Sequence, residues 1–308
     1  MANGDVANVS QASLLKFKEN FWVLAQQNES VLSNSKAIMY MPVDGKKHNL
    51  ARMGKFDLVE VTGRNPDKSY TDMSLDNRQF TKKRLTVTVP IDQLTDVNEL
   101  IADPENDVVK GLASAYNRAI DRLVCGFAGG SVMTGNPDEA PTSKSAEDDG
   151  VVTIDATAGL NYGVIQSVTQ NSINADLEIA DIKGSVILAT GKENTSLMSD
   201  EKFINNDYLN GNPANAGILN SAGIYDVRLF AGSVAGGVAK TNPILEEKEG
   251  KRTCLVLAPN SVAVAVQMND IRVERNPGKV NTMDVTAELW IGGMRTEGNR
   301  VQKIQTTI

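Results

Sequence analysis

A long extended ribbon with no hydrophobic core of its own constrains this sequence more than any other feature. Residues Lys36–Pro90 have the pattern of half-exposed, two-sided strands, and they hold 11 Lys/Arg against 6 Asp/Glu. A two-stranded hairpin alone is only marginally stable in water, so this ribbon needs support from outside itself. The support that the sequence favours is another copy of the same chain. The sequence therefore predicts assembly rather than catalysis.

Within the ribbon, alternation with a period of two predicts strands at Lys55–Leu58 and Arg84–Val89. A turn at Arg64–Lys68 is indicated between them, because Pro presets φ and Asn and Asp hydrogen-bond to the nearby backbone. A short amphipathic stretch precedes the ribbon, within residues 1–35. We predict that the basic side chains of the ribbon and the aromatic side chains of this stretch contact other subunits. The residues concerned are Arg64, Lys68, Lys46, Lys47, Phe17 and Trp22.

A long amphipathic helix follows the ribbon, from Asp103 to about Cys125. Asp103 is a suitable N-cap, and Pro104 suits the first helical position. Apolar residues then recur at spacings of three and four, which predicts one continuous buried face. Gly126 is predicted to end the helix. A helix of about 23 residues is roughly 34 Å long, which is unusual outside coiled coils.

The rest of the chain alternates helical and strand patterns without an internal repeat, which predicts an α+β fold. Helices are predicted at Leu160–Asn174 and Asn260–Met268, and a short helix or a turn around Ser196–Met198. Strands are predicted at Gly184–Thr190, Ala222–Phe230, Thr253–Leu257, Asp284–Met294 and Asn299–Ile304.

Charge is unevenly distributed. The whole chain carries a net charge of −7, yet residues 91–308 hold 18 Lys/Arg against 29 Asp/Glu. A basic ribbon beside an acidic body favours docking between chains, because opposite charges steer encounter and fix register. A nucleic-acid-binding arm is the alternative. The absence of a long apolar run and of a signal peptide predicts a protein made in a cytosol, without membrane contact.

Residues suited to chemistry are few. The one histidine, His48, is predicted to be a solvated ribbon residue, and Cys125 and Cys254 to be buried free thiols. The acidic cluster Asp138, Glu139, Glu147, Asp148 and Asp149 lacks the spacing of a calcium loop, so a solvated loop is favoured. We predict no catalytic residue, no cofactor and no metal site. An enzyme that uses Asp, Glu, Ser or Lys alone stays open as an alternative.

The order of these elements resembles the major capsid protein of tailed bacteriophages, which has the Hong Kong 97 fold. Asp103–Gly126 is placed like the spine helix that follows the family's hairpin. Leu160–Asn174, followed by Val186–Leu188 and Leu197–Asp200, resembles the family's helix, strand and leucine-to-aspartate passage. The passages resembling the family's later strands are Ala222–Val227, Thr253–Ala263 and Val285–Ile304.

The resemblance implies a division of the chain into four parts. Residues 1–35 would be an N-terminal arm, and residues 36–90 an extended E-loop that lies across a neighbouring subunit. Residues 91–180, with the spine helix at 103–125, and residues 265–308 would form the P-domain. Residues 181–264 would form the A-domain.

The resemblance also implies a function. The chain would be a structural coat protein, not an enzyme, that assembles as hexamers and pentamers into an icosahedral head around double-stranded DNA. Its partners would be itself, a scaffolding protein, a portal protein, a decoration protein and the packaged DNA, contacted without sequence specificity. It would be synthesised and assembled in the cytoplasm of the bacterial host and end in the virion. An encapsulin-type nanocompartment, which shares the fold but encloses an enzyme, is the alternative.

Overall fold

The computed structural model describes residues 30–32, 35–42, 44–56, 58, 60, 75–92, 104–135, 140–200, 221–222, 225–230, 250–268, 272–279 and 282–307. The predicted contact residues Phe17, Trp22, Arg64 and Lys68 lie outside them, as does the predicted turn at Arg64–Lys68.

Strands outnumber helices in the described part of the chain. The strands are β1 (Ile38–Tyr40), β2 (Lys47–Met53), β3 (Leu75–Thr81), β4 (Lys83–Asp92), β5 (Val132–Thr134), β6 (Thr142–Lys144), β7 (Val152–Ala156), β8 (Val186–Thr190), β9 (Ser221–Ala222), β10 (Tyr225–Phe230), β11 (Lys251–Leu257), β12 (Val262–Met268), β13 (Arg272–Arg275), β14 (Thr282–Arg295) and β15 (Val301–Thr307). The helices are α1 (Pro104–Gly129), α2 (Tyr162–Asn174), α3 (Ile179–Lys183) and α4 (Gly191–Met198), and a 3-10 turn covers Gly298–Arg300. The predicted α+β class is confirmed.

The strands form three sheets. In the spine sheet, β14 pairs along one edge with β12 and, at a different stretch, with β13. Its other edge pairs with β4, and β1 lies beyond β12. A central sheet has the order β7-β15-β11-β8-β10-β9, and a small arm sheet has the order β2-β3-β5-β6. The last two strands of the chain, β14 and β15, therefore belong to different sheets rather than forming one pair.

Both ends of the predicted ribbon are part of the body. β1 pairs in parallel with β12, and β4 pairs with β14 over ten residues from Lys83 to Asp92. Because β14 is 14 residues long, its edge can pair with the whole length of β4. The backbone of β4 therefore finds its partner within the same chain. The part of the ribbon that does not join the spine sheet is therefore shorter than Lys36–Pro90 and, among the described residues, consists mainly of β2 and β3. The predicted strand at Lys55–Leu58 is wrong, since the strand lies at Lys47–Met53.

The spine helix α1 is longer than the sequence indicated. It runs through Gly126 to Gly129, 26 residues in all. A glycine inside a helix costs only about 1 kcal/mol relative to alanine. Here Ala128 is fully buried in the main core and Phe127 packs against it, which offsets that cost.

The main core lies where α1 crosses the seam between the spine sheet and the central sheet. Ile120, Val124 and Cys125 of α1 pack with Leu289 and Ile291 of β14, and with side chains from one face of β8 and β11. The opposite face of the central sheet packs on α2 and α4 in a second cluster. Because successive strand residues point to opposite faces, Val186 and Leu188 join the first cluster and Ile187 and Ala189 the second.

The helix predicted at Asn260–Met268 is wrong, because residues Val262–Met268 form β12. This strand pairs with β14 over all seven residues and with β1 on its other edge. Valine and alanine alternate along it, and the β-branched valines favour a strand that is covered on both sides. A short run of small apolar residues suits a buried strand as well as a helix, so the pattern alone cannot separate the two.

Two successive glycines in β14 let other elements cross it closely on both faces. A Cβ on Gly292 would lie 2.8 Å from Cδ2 of Phe80, and one on Gly293 would lie 2.6 Å from Cδ2 of Phe127. The first contact is with the arm sheet and the second with the spine helix. Glycine at both positions is what allows β14 to pass between these two elements.

Replacing Gly293 by alanine is expected to lower the free energy of unfolding by about 1–3 kcal/mol, the usual cost of overpacking a core. The added methyl group would also lie 2.8 Å from the carbonyl oxygen of Ala263. Urea denaturation of the unassembled subunit measures the change. Gly111→Ala in α1 is the control, because its Cβ would meet nothing within 4 Å, and it should be neutral or stabilising. Equal effects of the two substitutions would contradict this account of β14.

Candidate subunit interface

The projecting element is the hairpin of β2 and β3, referred to below as the arm. The two strands pair over seven residues, from Lys47 opposite Thr81 to Met53 opposite Leu75. On its other side β3 pairs with β5, the strand that follows the spine helix. Within the described residues, β2 is the edge strand of the arm sheet. An edge strand carries a row of backbone donors and acceptors that another chain can complete.

The base of the arm is held to the body by a buried cluster of Arg78, Asp149 and Arg295, called here the base clasp. Arg78 of β3 binds both carboxylate oxygens of Asp149, through contacts of 2.5 and 2.9 Å. Arg295 of β14 binds the same carboxylate from the other side, with its Nε 2.9 Å from Oδ2. The side chains of both arginines are 0% exposed, and that of Asp149 is 1% exposed. The clasp therefore joins the arm, a loop and the spine sheet at one point.

The clasp also reaches the end of the spine helix. Nη1 of Arg295 donates to the carbonyl oxygens of Ala128 and Gly130, at 2.8 and 2.9 Å. Carbonyls at a helix C-terminus are unsatisfied and carry partial negative charge, so a cation there is stabilising. The last turn of α1 contains no basic residue of its own. Arg295 supplies that charge from β14 and thereby couples the helix end to the arm.

Asp149 is ionised in this environment. Burial alone would raise the pKa of Asp149, but hydrogen bonds and positive charge from Arg78 and Arg295 outweigh it and hold the pKa below its usual range. Burial would likewise raise the pKa of Glu193, a buried residue of α4. Hydrogen bonds from Thr190 and the charge of Arg252 outweigh burial and lower that pKa. A buried carboxylate whose pKa is depressed by partners stabilises the folded state only while it is ionised.

The unassembled subunit is accordingly expected to lose stability in acid. A carboxyl group with a depressed pKa in the folded state contributes its full stability above the unfolded pKa of about 4, and loses it as the pH falls through the folded value. Urea denaturation between about pH 7 and about pH 2.5 should show a level free energy of unfolding above about pH 5 and a steady decrease below about pH 4. A free energy of unfolding that rises on acidification would contradict the depressed pKa values.

A second anchor joins residues 30–32 to the spine helix. Asp121 of α1, buried in the body, accepts hydrogen bonds from the backbone N–H groups of Val31 and Leu32 and from the hydroxyl of Ser30. Leu32 is fully buried in the main core. Residues 30–32 are thus tethered to the spine helix.

The far end of the arm presents apolar side chains to solvent. Met53 and Leu75 are directly opposite each other and are 61% and 59% exposed. Phe56 and Leu58, which follow Met53 in the chain, are 53% and 103% exposed. These four residues are called here the arm-end patch. Met53 and Leu75 are cross-strand neighbours, and adjacent exposed apolar side chains mark contact surfaces more often than single ones do.

The structure changes the interpretation of the ribbon's positive charge. Arg78 binds Asp149, Arg52 binds Asp76, and Arg84 binds Glu288. Lys55 lies 2.8 Å from Asp176, in an ion pair whose side chains are both about three-quarters exposed. At least these four of the ribbon's eleven basic residues, all within the described part of the chain, therefore pair within their own chain, and the charge does not simply point towards a neighbour.

The two predicted contact residues that the structure describes, Lys46 and Lys47, are both exposed at the start of the arm. Lys47 is the first residue of β2, and the backbone carbonyl of Lys46 accepts from the N–H of Lys82, at 3.1 Å. The structure places neither in contact with the arm-end patch. Sequence reasoning missed both the base clasp and the patch, since Arg78 and Asp149 lie 71 positions apart and no local pattern links them.

The prediction that His48 is solvated is wrong. Its side chain is 8% exposed and stacks on Phe80, with ring centroids 4.9 Å apart. The two residues are cross-strand partners on the face of the arm sheet that rests on Gly292. Burial, followed by the charge of Lys82, lowers the pKa of His48, so the ring is neutral at pH 7. It is a packing residue of the arm base.

The acidic loop is only partly solvated, which corrects the prediction for one of its members. Asp149 is buried in the base clasp, while Asp148 is exposed and bonded to Ser145. Asp138 and Glu139 lie outside the described residues. Within the part that the structure describes, no three His, Cys, Asp or Glu side chains converge as a metal site. Both cysteines are buried free thiols, as predicted.

No helix in the described part of the chain has the length and apolar character needed to cross a membrane. The comparison with protein families is more informative. The family model described as phage capsid protein matches residues 9–308. The chain belongs to this family. The predicted resemblance to phage capsid proteins is therefore confirmed, and membership indicates a structural role.

Solved phage structures share the fold of this capsid-family chain along its whole length. The capsid of Helicobacter pylori bacteriophage KHP30 matches with a TM-score of 0.68 and 9% identity, covering 100% of this chain and 98% of that one. The head of Helicobacter pylori bacteriophage KHP40 matches with a TM-score of 0.66 and 11% identity, covering 99% of each chain. Mycobacterium phage Che8 matches with a TM-score of 0.63 and 12% identity, covering 92% and 94%. No curated protein matches the chain in sequence.

Proposed function

We propose that this chain is the major structural subunit of the icosahedral head of a tailed phage, and that it acts by assembly with copies of itself rather than by catalysis. The observation that carries this proposal is the family match across residues 9–308. The geometry supports it, because the arm is fixed rigidly at its base and ends in exposed apolar side chains. A surface of that kind needs a partner.

The arm is the proposed contact between subunits. Residues 36–90 would serve as the E-loop, with the part between Lys47 and Thr81 reaching the neighbour. The edge of β2 offers backbone donors and acceptors to a further strand. The arm-end patch offers apolar area whose removal from water is favourable. Closed symmetry lets every subunit give one arm and receive another, so no edge stays open. Hexamers and pentamers are the expected arrangement of these contacts.

The remaining parts follow the family pattern. The N-terminal arm of residues 1–35 would leave the body at the Asp121 anchor and contact neighbours through Phe17 and Trp22. The P-domain would comprise residues 91–180 and 265–308, and the A-domain residues 181–264. Arg64, Lys68, Lys46 and Lys47 would take part in contacts along the E-loop. A scaffolding protein, a portal, a decoration protein and packaged double-stranded DNA are proposed as further partners, with assembly in the host cytoplasm.

The fold alone does not separate a phage head from an encapsulin shell, but the contents of the particle do. Purified particles should be treated with nuclease, opened and tested for protected nucleic acid and for enclosed protein. A phage head isolated from infected cells should hold protected double-stranded DNA, whereas a shell around a stoichiometric enzyme would support the encapsulin alternative. A protein that stays a monomer or dimer at high concentration, and shows turnover instead, would support an enzyme.

A further inference from the structure

A cationic pocket lies beside the base of the arm, on the face of the spine sheet that points away from the spine helix. It has a volume of about 550 Å³ and is lined by Lys46, Lys82, Arg84, Arg272, Glu288 and Trp290, among others. Glu288 and Trp290 lie on the face of β14 opposite to Leu289 and Ile291, which pack on α1. The pocket is therefore separate from both the base clasp and the main core.

The pocket carries more positive charge than its own acid neutralises. Among the residues that the structure describes, four cationic side chains line it together with one carboxylate, that of Glu288. Arg84 binds both oxygens of this carboxylate at 2.9 Å, and the indole N–H of Trp290 donates to it as well. The hydrogen bond from Arg84 comes first among the causes that lower the pKa of Glu288, so it is ionised at neutral pH. The formal charges of the described lining residues therefore sum to +3.

Two of the four cations, Lys82 and Arg84, are held by contacts within the pocket, while Lys46 and Arg272 are exposed. The side chain of Lys82 is 6% exposed, and its Nζ lies 3.5 Å from Oε1 of Gln267, a residue of the same pocket. The guanidinium of Arg84 lies over the ring of Trp290, 5.9 Å from its centroid. Lys46 follows Gly45, whose φ of +77° makes the turn that brings the start of β2 to Lys82. An open depression in which four cations converge, two of them fixed by neighbours, suits an anionic group that docks onto it.

We propose that this pocket receives one or more carboxylate side chains of a second copy of the chain, so that it is a receptor for a neighbouring subunit. The proposal rests on the proposed function, which supplies that second copy. Charge complementarity points to the same partner, because residues 91–308 carry 29 Asp/Glu against 18 Lys/Arg. In a shell, acidic surface of neighbouring copies is present at very high local concentration.

Packaged DNA is the competing partner for a cationic site, and the mixed lining of the pocket disfavours it. Proteins that bind duplex DNA neutralise several phosphates with Lys and Arg spread along an extended face. Here the charges converge in one concavity and share it with Trp290 and an acidic side chain. A single projecting carboxylate fits this arrangement better than a convex double helix does.

The first test compares charge reversals in one strand. Arg272→Glu removes a pocket cation, and Arg275→Glu makes the same change three residues on, at an exposed position of β13 outside the pocket. We expect Arg272→Glu to lower the yield of closed particles at least about tenfold, while the melting temperature of the unassembled subunit stays unchanged. Arg275→Glu should assemble within about twofold of the parent chain. Equal yields for both variants would overturn the proposal and leave the proposed function intact, since the parent chain would still form shells.

The second test identifies the partner directly. A zero-length carbodiimide couples lysine amines to carboxylates that are in contact, and mass spectrometry of the dimer band then reports coupling between chains. We expect peptides that join Lys46 to an Asp or Glu of another copy, and their loss in Lys46→Arg, which keeps the charge but has no amine to couple. Coupling of Lys46 only within one chain would overturn the proposal. So would normal assembly of Arg272→Glu together with reduced DNA retention, which would assign the pocket to nucleic acid.

Discussion

Replacing Asp149 by asparagine is expected to lower the free energy of unfolding of the unassembled subunit by about 3–5 kcal/mol, the range for breaking a buried ion pair by removing one partner. Two arginines with 0% exposed side chains would be left without their carboxylate. The variant should therefore be depleted from the soluble fraction, and what remains should unfold at lower urea concentration.

Asp148→Asn is the matched control. Asp148 is the neighbouring residue, carries the same charge and is exposed, with its hydrogen bonds made to Ser145 in the same turn. Asparagine can keep those acceptor contacts, so the change should stay within about 0.5 kcal/mol, as is usual on the surface. The difference in free energy of unfolding between Asp149→Asn and the parent chain should also become smaller in acid. Protonation of Asp149 in the parent chain removes the same charge that the substitution removes. A gap independent of pH would show that the charge of Asp149 is not what stabilises the clasp.

The second large effect concerns assembly rather than folding. The double substitution Met53→Asp and Leu75→Asp should leave a folded subunit, because both side chains are more than half exposed. It should nevertheless abolish closed particles, since a loss of about 1.4 kcal/mol at one contact already reduces the association constant tenfold and every subunit would carry the defect. Particle yield by sedimentation and the melting temperature of the unassembled subunit separate the two outcomes.

The control for the arm-end patch keeps its apolar character. Met53→Leu and Leu75→Met exchange similar side chains and should assemble like the parent chain, because such swaps cost little even in cores. Normal assembly of the double aspartate variant would remove the arm end from the interface. A variant that neither folds nor assembles would show instead that Met53 and Leu75 stabilise the subunit itself.

The sequence predicted those parts of the fold whose signals are local. The apolar stripe of the spine helix α1 and the buried run of β8 each lie within one short segment, and the structure has a helix at Pro104–Gly129 and a strand at Val186–Thr190. The prediction failed at Val262–Met268, where the pairing of β12 with β1 and β14 decides the structure. It also failed for His48, whose burial depends on Phe80 and on Gly292, more than two hundred positions away.

The candidate interface shows the same division. The alternating ribbon could be recognised from its pattern, but its boundaries could not, since β4 is completed by a strand at the other end of the chain. The sequence shows how many charges the ribbon carries, but it does not show which of them pair within the same chain. A pair such as Arg78 and Asp149 is invisible to any window of sequence, because only the folded chain brings them to 2.5 Å. Long-range contacts of buried charges are therefore the part that needs the structure.

Cryo-electron microscopy of particles assembled from the full chain tests the central claim most directly, because it locates the arm. We predict a closed icosahedral shell in which residues 47–81 lie on a neighbouring subunit, with Met53 and Leu75 covered by that neighbour. The clasp of Arg78, Asp149 and Arg295 should be intact in every subunit. Open aggregates without closed shells, or shells in which the arm packs only on its own subunit, would contradict the account.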